Sequence, residues 1–359
     1  MKVEQGHNRV GIWEQRQVTS RMKLQTICIL YLLGGAIPAS VLGQSPSTEP
    51  VLSWSKGSGQ GFPSKPIEFV VPGNPGAGSD VFARLIADLM RKDKLLAQPV
   101  VINNKAGGGG AIAASYAAQK RGDPYTVVSF PTGMMLTAAL RSGLDIGLDK
   151  FHPLALLGFD INCLMVNADS PYKSVPELVA AAKAQPKTIN VAIGSAGSTS
   201  HMFVYTLQKL TGARFNIVIM KSGAEAVTAV LGGHVHWSTG QISDAMPHVE
   251  TGRMRVLAVA SPQRLAPLGN IPTMKEQGID MHAAAGRSFA APAAIPKDAA
   301  AYLDTLFEKV YKSAGWQDYM TRNLMEPVYM NSANYSRYLA ARQPEFTQFI
   351  TDMGLSGGR

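Results

Sequence analysis

Three stretches of small residues in this chain could hold an anion. They are Gly73–Asp80 (GNPGAGSD), Ala106–Gly110 (AGGGG) and Gly194–Ser200 (GSAGSTS), and each stands between a run of strand character and a run of helical spacing. A helix start offers unpaired N–H groups at the positive end of its dipole. Glycine lets a ligand reach the backbone, and Ser and Thr hydroxyls add donors. Together such loops form an anion or carboxylate site. Taken singly, each is equally a tight turn leading into a capped helix; the recurrence is what points to a ligand.

Covalent, cofactor and metal chemistry find less support. GNPGAGSD does not meet the dinucleotide fingerprint. AGGGGAIA meets its looser form through Gly108, Gly110 and Ala113, but no acid closes the next strand, where SFPTGMM stands, and Asp123 precedes that strand. No phosphate-loop motif with its Gly-Lys-Ser/Thr ending is present. IGSAG (193–197) resembles a nucleophile elbow, with Ile193 where glycine is required. Ser195 or Ser198 with His201 is the one candidate nucleophile pair, and no orienting acid accompanies it. His234 and His236 are expected on one face of a strand. A third metal ligand is not evident, with Asp244 and His248 the best candidates, and exposed strand histidines are the plainer reading. No catalytic residue, metal or cofactor is assigned.

The elements that position these loops alternate. IEFVVP (67–72), PVVIN (99–103) and YTVVSF (125–130) read as buried parallel strands separated by helices over VFARLIADLMRK and AIAASYAAQK. The middle repeats the pattern. Strands are expected at 162–167, 188–194, 215–220, 234–239 and 255–260. Helices fall at 174–185, with Ser174 as its cap, and at about 199–211, 223–231 and 242–250. A strand at 287–293 and helices over about 297–313, 316–324 and 332–350 complete the chain. That is an α/β fold with more strands than one compact sheet needs, and it implies two lobes.

The chain has 359 residues, a formal net charge of +9 and two cysteines, Cys28 and Cys163. Two cysteines exclude a disulfide framework. Residues 22–43 (MKLQTICILYLLGGAIPASVLG) have the three parts of a secretory signal: basic flank, short apolar run and small residues before a cleavage point. The expectation is a cleaved signal over 1–43, with Met22 as the true start, and a disordered Ser/Gly/Pro-rich leader over 44–61. Removing 1–43 takes five basic and two acidic residues and leaves +6 with no basic stripe, which argues against nucleic acid. Cys163, in GFDINCLMVN, reads as a buried structural thiol.

Six segments in order resemble the solute receptors of tripartite tricarboxylate transporters, the Bug receptors. VPGNPGAGSDVFARLIA is similar to their first strand and loop, PVVINNKAGGGGAIAASYAAQ to their second, and IGSAGSTSHMFVYTLQKLTG to a helix start in their second lobe. AVTAVLGGHVHWST, GRMRVLAVASPQR and NIPTMKEQG follow in the family's order, so the resemblance runs from about 62 to 354. It implies a two-lobed periplasmic binding protein of type II fold, each lobe a central sheet flanked by helices, with the ligand cleft between. One lobe would hold 62–163 plus 285–359 and the other 164–284, with crossings near Cys163–Asn167 and Arg287–Ala291.

The same resemblance implies site residues. Asn74, Gly76, Ala77, Gly78 and Ser79 would hold one end of the ligand, partly through waters. Ser195, Gly197, Ser198, Thr199 and Ser200 would grip a carboxylate. Pro131, Thr132 and Gly133, and Met220, Lys221, Ser222 and Gly223, would complete the rim. Asp80 and Arg84 would brace. The implied partners are a small carboxylate, aliphatic or aromatic, and the membrane permease subunits of such a transporter, with the receptor a periplasmic monomer and no enzyme. The chain departs from the family pattern at GDPYT, Met220 and Val235-His236. Two other readings stand beside this one: a secreted α/β hydrolase, and a ligand-binding module feeding a sensor kinase.

Overall fold

The computed structural model describes residues 61–130, 134 and 144–355. The signal and nearly all of the leader, together with Pro131, Thr132 and Gly133, lie outside the described residues.

Three parallel strands open the fold: β1 (Ile67–Val71), β2 (Val100–Asn104) and β3 (Thr126–Ser129), in the order β2-β1-β3. Helix α1 (Gly78–Lys92) follows β1 and α2 (Ala111–Ala118) follows β2. Later come β5 (Asn190–Ile193), β6 (Asn216–Ile219) and β7 (Trp237–Gln241), where β5 pairs in parallel with both β6 and β7. Their helices are α3 (Val175–Ala184) before β5, α4 (Thr199–Thr211), α5 (Gly223–Leu231) and α6 (Ile242–Glu250). Strand β8 (Met254–Val259) follows α6 and runs antiparallel to the strand Phe151–Asn167.

Two long antiparallel strands join these sets. β4 (Phe151–Asn167) pairs through Phe151–Ile161 with β9 (Ala284–Pro292), and through Asn162–Asn167 with β7 and β8. β9 in turn pairs with β3, so one sheet runs β2-β1-β3-β9-β4-β7-β5-β6.

Here the structure corrects one sequence expectation. The strand expected at 162–167 is the last third of a strand 17 residues long. Pro153, Gly158 and Asp160 break the apolar pattern of its first part. The pairing absorbs the first two by shifts of register between Pro153 and Ala155 and between Leu156 and Phe159. Gly158 is required there: its φ is +151, and a Cβ would stand 3.1 Å from the Met325 methyl and 3.3 Å from the Glu326 carbonyl. The chain at Glu326–Met330 lies along this edge, bridging to Phe159 and Leu156. A second correction concerns the histidines. β7 begins at Trp237, so His234 and His236 lie in the turn before it, both exposed.

Helical spacing decides which side chains are buried. Phe82, Ile86, Leu89 and Met90 of α1 face the sheet and pack with helices α7 (Lys297–Lys312) and α8 (Ala314–Arg322) around Phe69, Phe289 and Phe307. Phe289 stacks on Phe307 at 4.9 Å and on Phe82 at 5.0 Å, and the indole of Trp316 donates to the Leu157 carbonyl at 3.0 Å. A corresponding core under β4, β5 and β7 is closed by α3 and α4 around Trp237 and Phe203. The opposite face of the whole sheet is covered by α2, α5, α6 and the last helix, α9 (Ser332–Asp352). Tyr335, near the start of α9, meets Ser288 of β9 at 2.7 Å, and Phe349 near its end packs on His201 and Tyr205 of α4. Cys163 is fully buried within that shared core, a free thiol whose pKa burial pushes up, as a structural cysteine should be.

Candidate functional site

The carboxyl ends of the parallel strands carry the three glycine loops. In the loop after β1, Asp80 is the anchor. Its buried carboxylate accepts from the Gly76 N–H, Arg84 Nε and Asn104 Nδ2, each at 2.9 Å, and Asn104 Nδ2 also donates to the Gly73 carbonyl. The hydrogen bond from Arg84 is the first cause holding the Asp80 carboxyl down to about 2. Asp80 and Arg84 therefore brace the loop, and Ala77 is the helix cap in position, with no side-chain bond. Among the described residues, no acceptor is recorded for the N–H groups of Gly78 and Ser79, the first two of α1. These are the groups a helix start leaves for a ligand.

The loop after β5 is held from inside by His201. Gly197 N–H donates to His201 Nδ1 at 3.1 Å, and Ser198 caps α4 by accepting from the His201 N–H at 3.2 Å. Ser198 Oγ donates to the Ser195 carbonyl at 2.7 Å. His201 is buried and burial lowers its pKa. Its Nδ1 is already an acceptor, so the ring is neutral with its proton on Nε2 and Nδ1 is not available as a base for either serine. The nucleophile reading of Ser195 or Ser198 with His201 is thereby removed. Thr199 and Ser200 open α4 with N–H groups for which no acceptor is recorded among the described residues.

The loop after β6 is a capping box. Ser222 accepts from the Glu225 N–H and Glu225 accepts from the Lys221 N–H. It lies against the loop after β5: a Cβ on Gly194 would stand 2.8 Å from the Gly223 nitrogen. Lys221, Ser222 and Gly223 are exposed at its rim. The run Gly107–Gly110 has positive φ throughout, and a Cβ on Gly110 would meet Met134 at 2.7 Å. Steric need accounts for that glycine without a ligand.

Both sets of carboxyl ends meet at an ion pair that the loops did not announce. Phe130 N–H bonds to the Ser288 carbonyl, so Arg287 lies just past the end of β3. Gln241, the last residue of β7, is level with Asn162, so Asp160 lies two residues past it. Arg287 Nε donates to Asp160 Oδ2 at 2.6 Å, and its Nη2 contacts the same oxygen. The guanidinium reaches the start of α1, where a Cβ on Gly78 would stand 3.6 Å from Nη1. It also lies 5.8 Å from the centre of the Phe82 ring. Charged residues inside apolar strand runs, Asp160 in GFDINCLMVN and Arg287 in RSFAAPA, were the available signal. A cavity of about 760 Å³ lined by Lys173, Arg255 and Gln277 includes none of the three loops. His236 Nδ1 accepts from the Asn190 N–H, and no metal-holding group of three His, Cys, Asp or Glu occurs among the described residues.

The model of the tripartite tricarboxylate transporter family receptor matches residues 82–355. The chain belongs to that family. A Cupriavidus necator relative, described as a UPF0065 protein in the gbd 5' region, is 30% identical over 297 residues, covering 82% of this chain and 89% of its own. A solved TctC solute binding protein from Polaromonas aligns with a TM-score of 0.70 at 29% identity, over 81% of this receptor and 99% of its own chain. An R. palustris protein solved with adipate aligns at 0.69 and 26% identity, over 82% of this receptor and 98% of its own chain. The receptor thus has the α/β periplasmic binding protein fold, and its family is one of solute-binding receptors, not enzymes.

Proposed function

We propose that the receptor captures a small carboxylate in a cleft between two lobes, 62–163 plus 285–359 and 164–284, and delivers it in the periplasm to the permease subunits of a tripartite tricarboxylate transporter. One observation carries this reading: donor-bearing helix starts, Gly78–Ser79 of α1 and Thr199–Ser200 of α4, stand at the carboxyl ends of strands on either side of the β4–β9 junction. Each supplies N–H groups and the positive end of a helix dipole to a carboxylate. A ligand touching both is held only when the lobes close, so it selects the closed state. Asn74, Gly76 and Ala77 would shape the first wall, Ser195, Gly197 and Ser198 the second, and Lys221, Ser222 and Gly223 the rim. Pro131, Thr132 and Gly133 are proposed from the family resemblance alone. The adipate held by the R. palustris relative supports a carboxylate of that size.

Calorimetric titration with a panel of aliphatic and aromatic carboxylates tests the proposal. Micromolar or tighter binding by one of them is expected, weakened at least tenfold by Thr199→Pro, which removes one donor of the α4 start. Silence across the panel overturns it.

A further inference from the structure

The last helix, α9, is fastened to different parts of the fold at its two ends. Near its start the Ser332 N–H donates to Asp304 of α7 at 2.9 Å, and the Tyr335 hydroxyl meets Ser288 of β9 at 2.7 Å. Near its end the fully buried Phe349 meets the His201 ring edge-on at 5.3 Å and the Tyr205 ring at 5.3 Å, and Asp352 accepts from the Tyr205 hydroxyl. Asp304 and Ser288 belong to the proposed first lobe, His201 and Tyr205 to the second. The anchors Tyr335 and Phe349 are about 21 Å apart along the helix axis.

Between the anchors the helix has little support. None of residues 340–345 is buried. A cavity of about 360 Å³ adjoins this span, walled by Tyr338, Arg342 and Phe346 of α9, Thr199 and Met202 of α4, and Ala284 at the start of β9. Pro344 stands inside the span. It has no N–H for the Ala340 carbonyl and its ring crowds that carbonyl, so the helix resists bending least there.

The second anchor reaches the ligand loop. His201 Nδ1 accepts from the Gly197 N–H, and Ser198 accepts from the His201 N–H. Phe349 therefore packs on the ring that holds the loop after β5 in shape, while Thr199 of the α4 start lines the cavity.

We propose that α9 is a jointed arm, which ties the second ligand loop to the first lobe through Phe349 and bends at Pro344 when the lobes close. The inference rests on the two-lobe capture reading above. Phe349 is then a positioning residue acting through His201. A rigid helix fixed to both lobes would oppose a change in their angle, whereas one with a weak point beside a cavity yields. The stiffness of the arm thus sets the fraction of receptor able to close, and apparent affinity follows that fraction.

The test uses the full chain. Pro344→Ala restores the missing N–H and stiffens the arm. It is expected to raise the melting temperature by several degrees. In calorimetric titration with the carboxylate panel it is expected to weaken the tightest binder at least about threefold. A merely structural proline would give the first change without the second. Phe349→Leu is expected to speed amide hydrogen exchange over Gly197–Met202 at least about tenfold, with β1 and β2 unchanged. If Phe349→Leu does not fold, Tyr205→Phe, which removes only the hydroxyl bonded to Asp352, carries the comparison. Unchanged or tighter binding by Pro344→Ala, or loop exchange indifferent to the α9 anchor, overturns the inference and leaves carboxylate capture standing. If no member of the panel binds, the capture reading falls and the exchange measurement decides the arm.

Discussion

Arg287 of β9 and Asp160 of β4, 127 residues apart in the chain, form an ion pair at the point where the carboxyl ends of β3 and β7 approach each other. Their side chains are 20% and 5% exposed, so neither charge is well solvated. The pair neutralises a carboxylate that the strand register forces into the protein, and it places a guanidinium beside the start of α1.

Removing one partner strands the other. Arg287→Met is expected to destabilise the receptor by about 3–5 kcal/mol, because Asp160 is left charged and buried. The double substitution Arg287→Met with Asp160→Leu is expected to recover most of that loss. Urea unfolding of both single variants and the double variant checks it through the coupling energy. Additive losses would remove the pair from the account.

Gly194 tests the contact between the second and third loops. A Cβ there would lie 2.8 Å from the Gly223 nitrogen and 3.1 Å from its Cα, both backbone atoms that cannot swing aside. Gly194→Ala is expected to cost roughly 1–3 kcal/mol by forcing the loops apart. Gly223→Ala, with nothing within 4 Å of its Cβ, is expected to leave stability nearly unchanged. Thermal melting of the two variants side by side measures the difference.

His201 links loop order to pH. Its folded pKa is lowered by burial, so the unfolded chain binds the proton more readily. The neutral ring's contribution is therefore complete above the unfolded histidine value, about 6.5, and is lost as pH falls from there toward the lower folded value. Protonation also removes the Nδ1 acceptor used by Gly197. Stability is expected to drop on acidification through this window. His201→Asn should flatten part of that drop, leaving the share due to His152, whose pKa burial also lowers. Denaturant midpoints across pH for the receptor and the variant decide the point, and identical slopes would refute it.

The three glycine loops were legible because glycine, serine and helix-start spacing are local signals, and most strands and helices stand within a few residues of where their patterns place them. The first part of β4 was not legible. Its interruptions at Pro153, Gly158 and Asp160 are made tolerable by β9 and by the chain at Glu326–Met330, which are remote in sequence. The position of His236 shows the same limit: its sequence pattern reads as strand, while β7 begins one residue later, at Trp237.

By itself the sequence determined the alternation of strands and helices, the donor-rich loops and the family to which the chain belongs, since all of these reside in short-range pattern and order. The tertiary structure alone decided how Asp80 ties down the first loop, how His201 is spent as an acceptor inside the second, and how Arg287 meets Asp160. Each depends on a side chain brought into range by strand register or helix packing, and the low local dielectric of a buried junction is what gives such meetings their energetic weight.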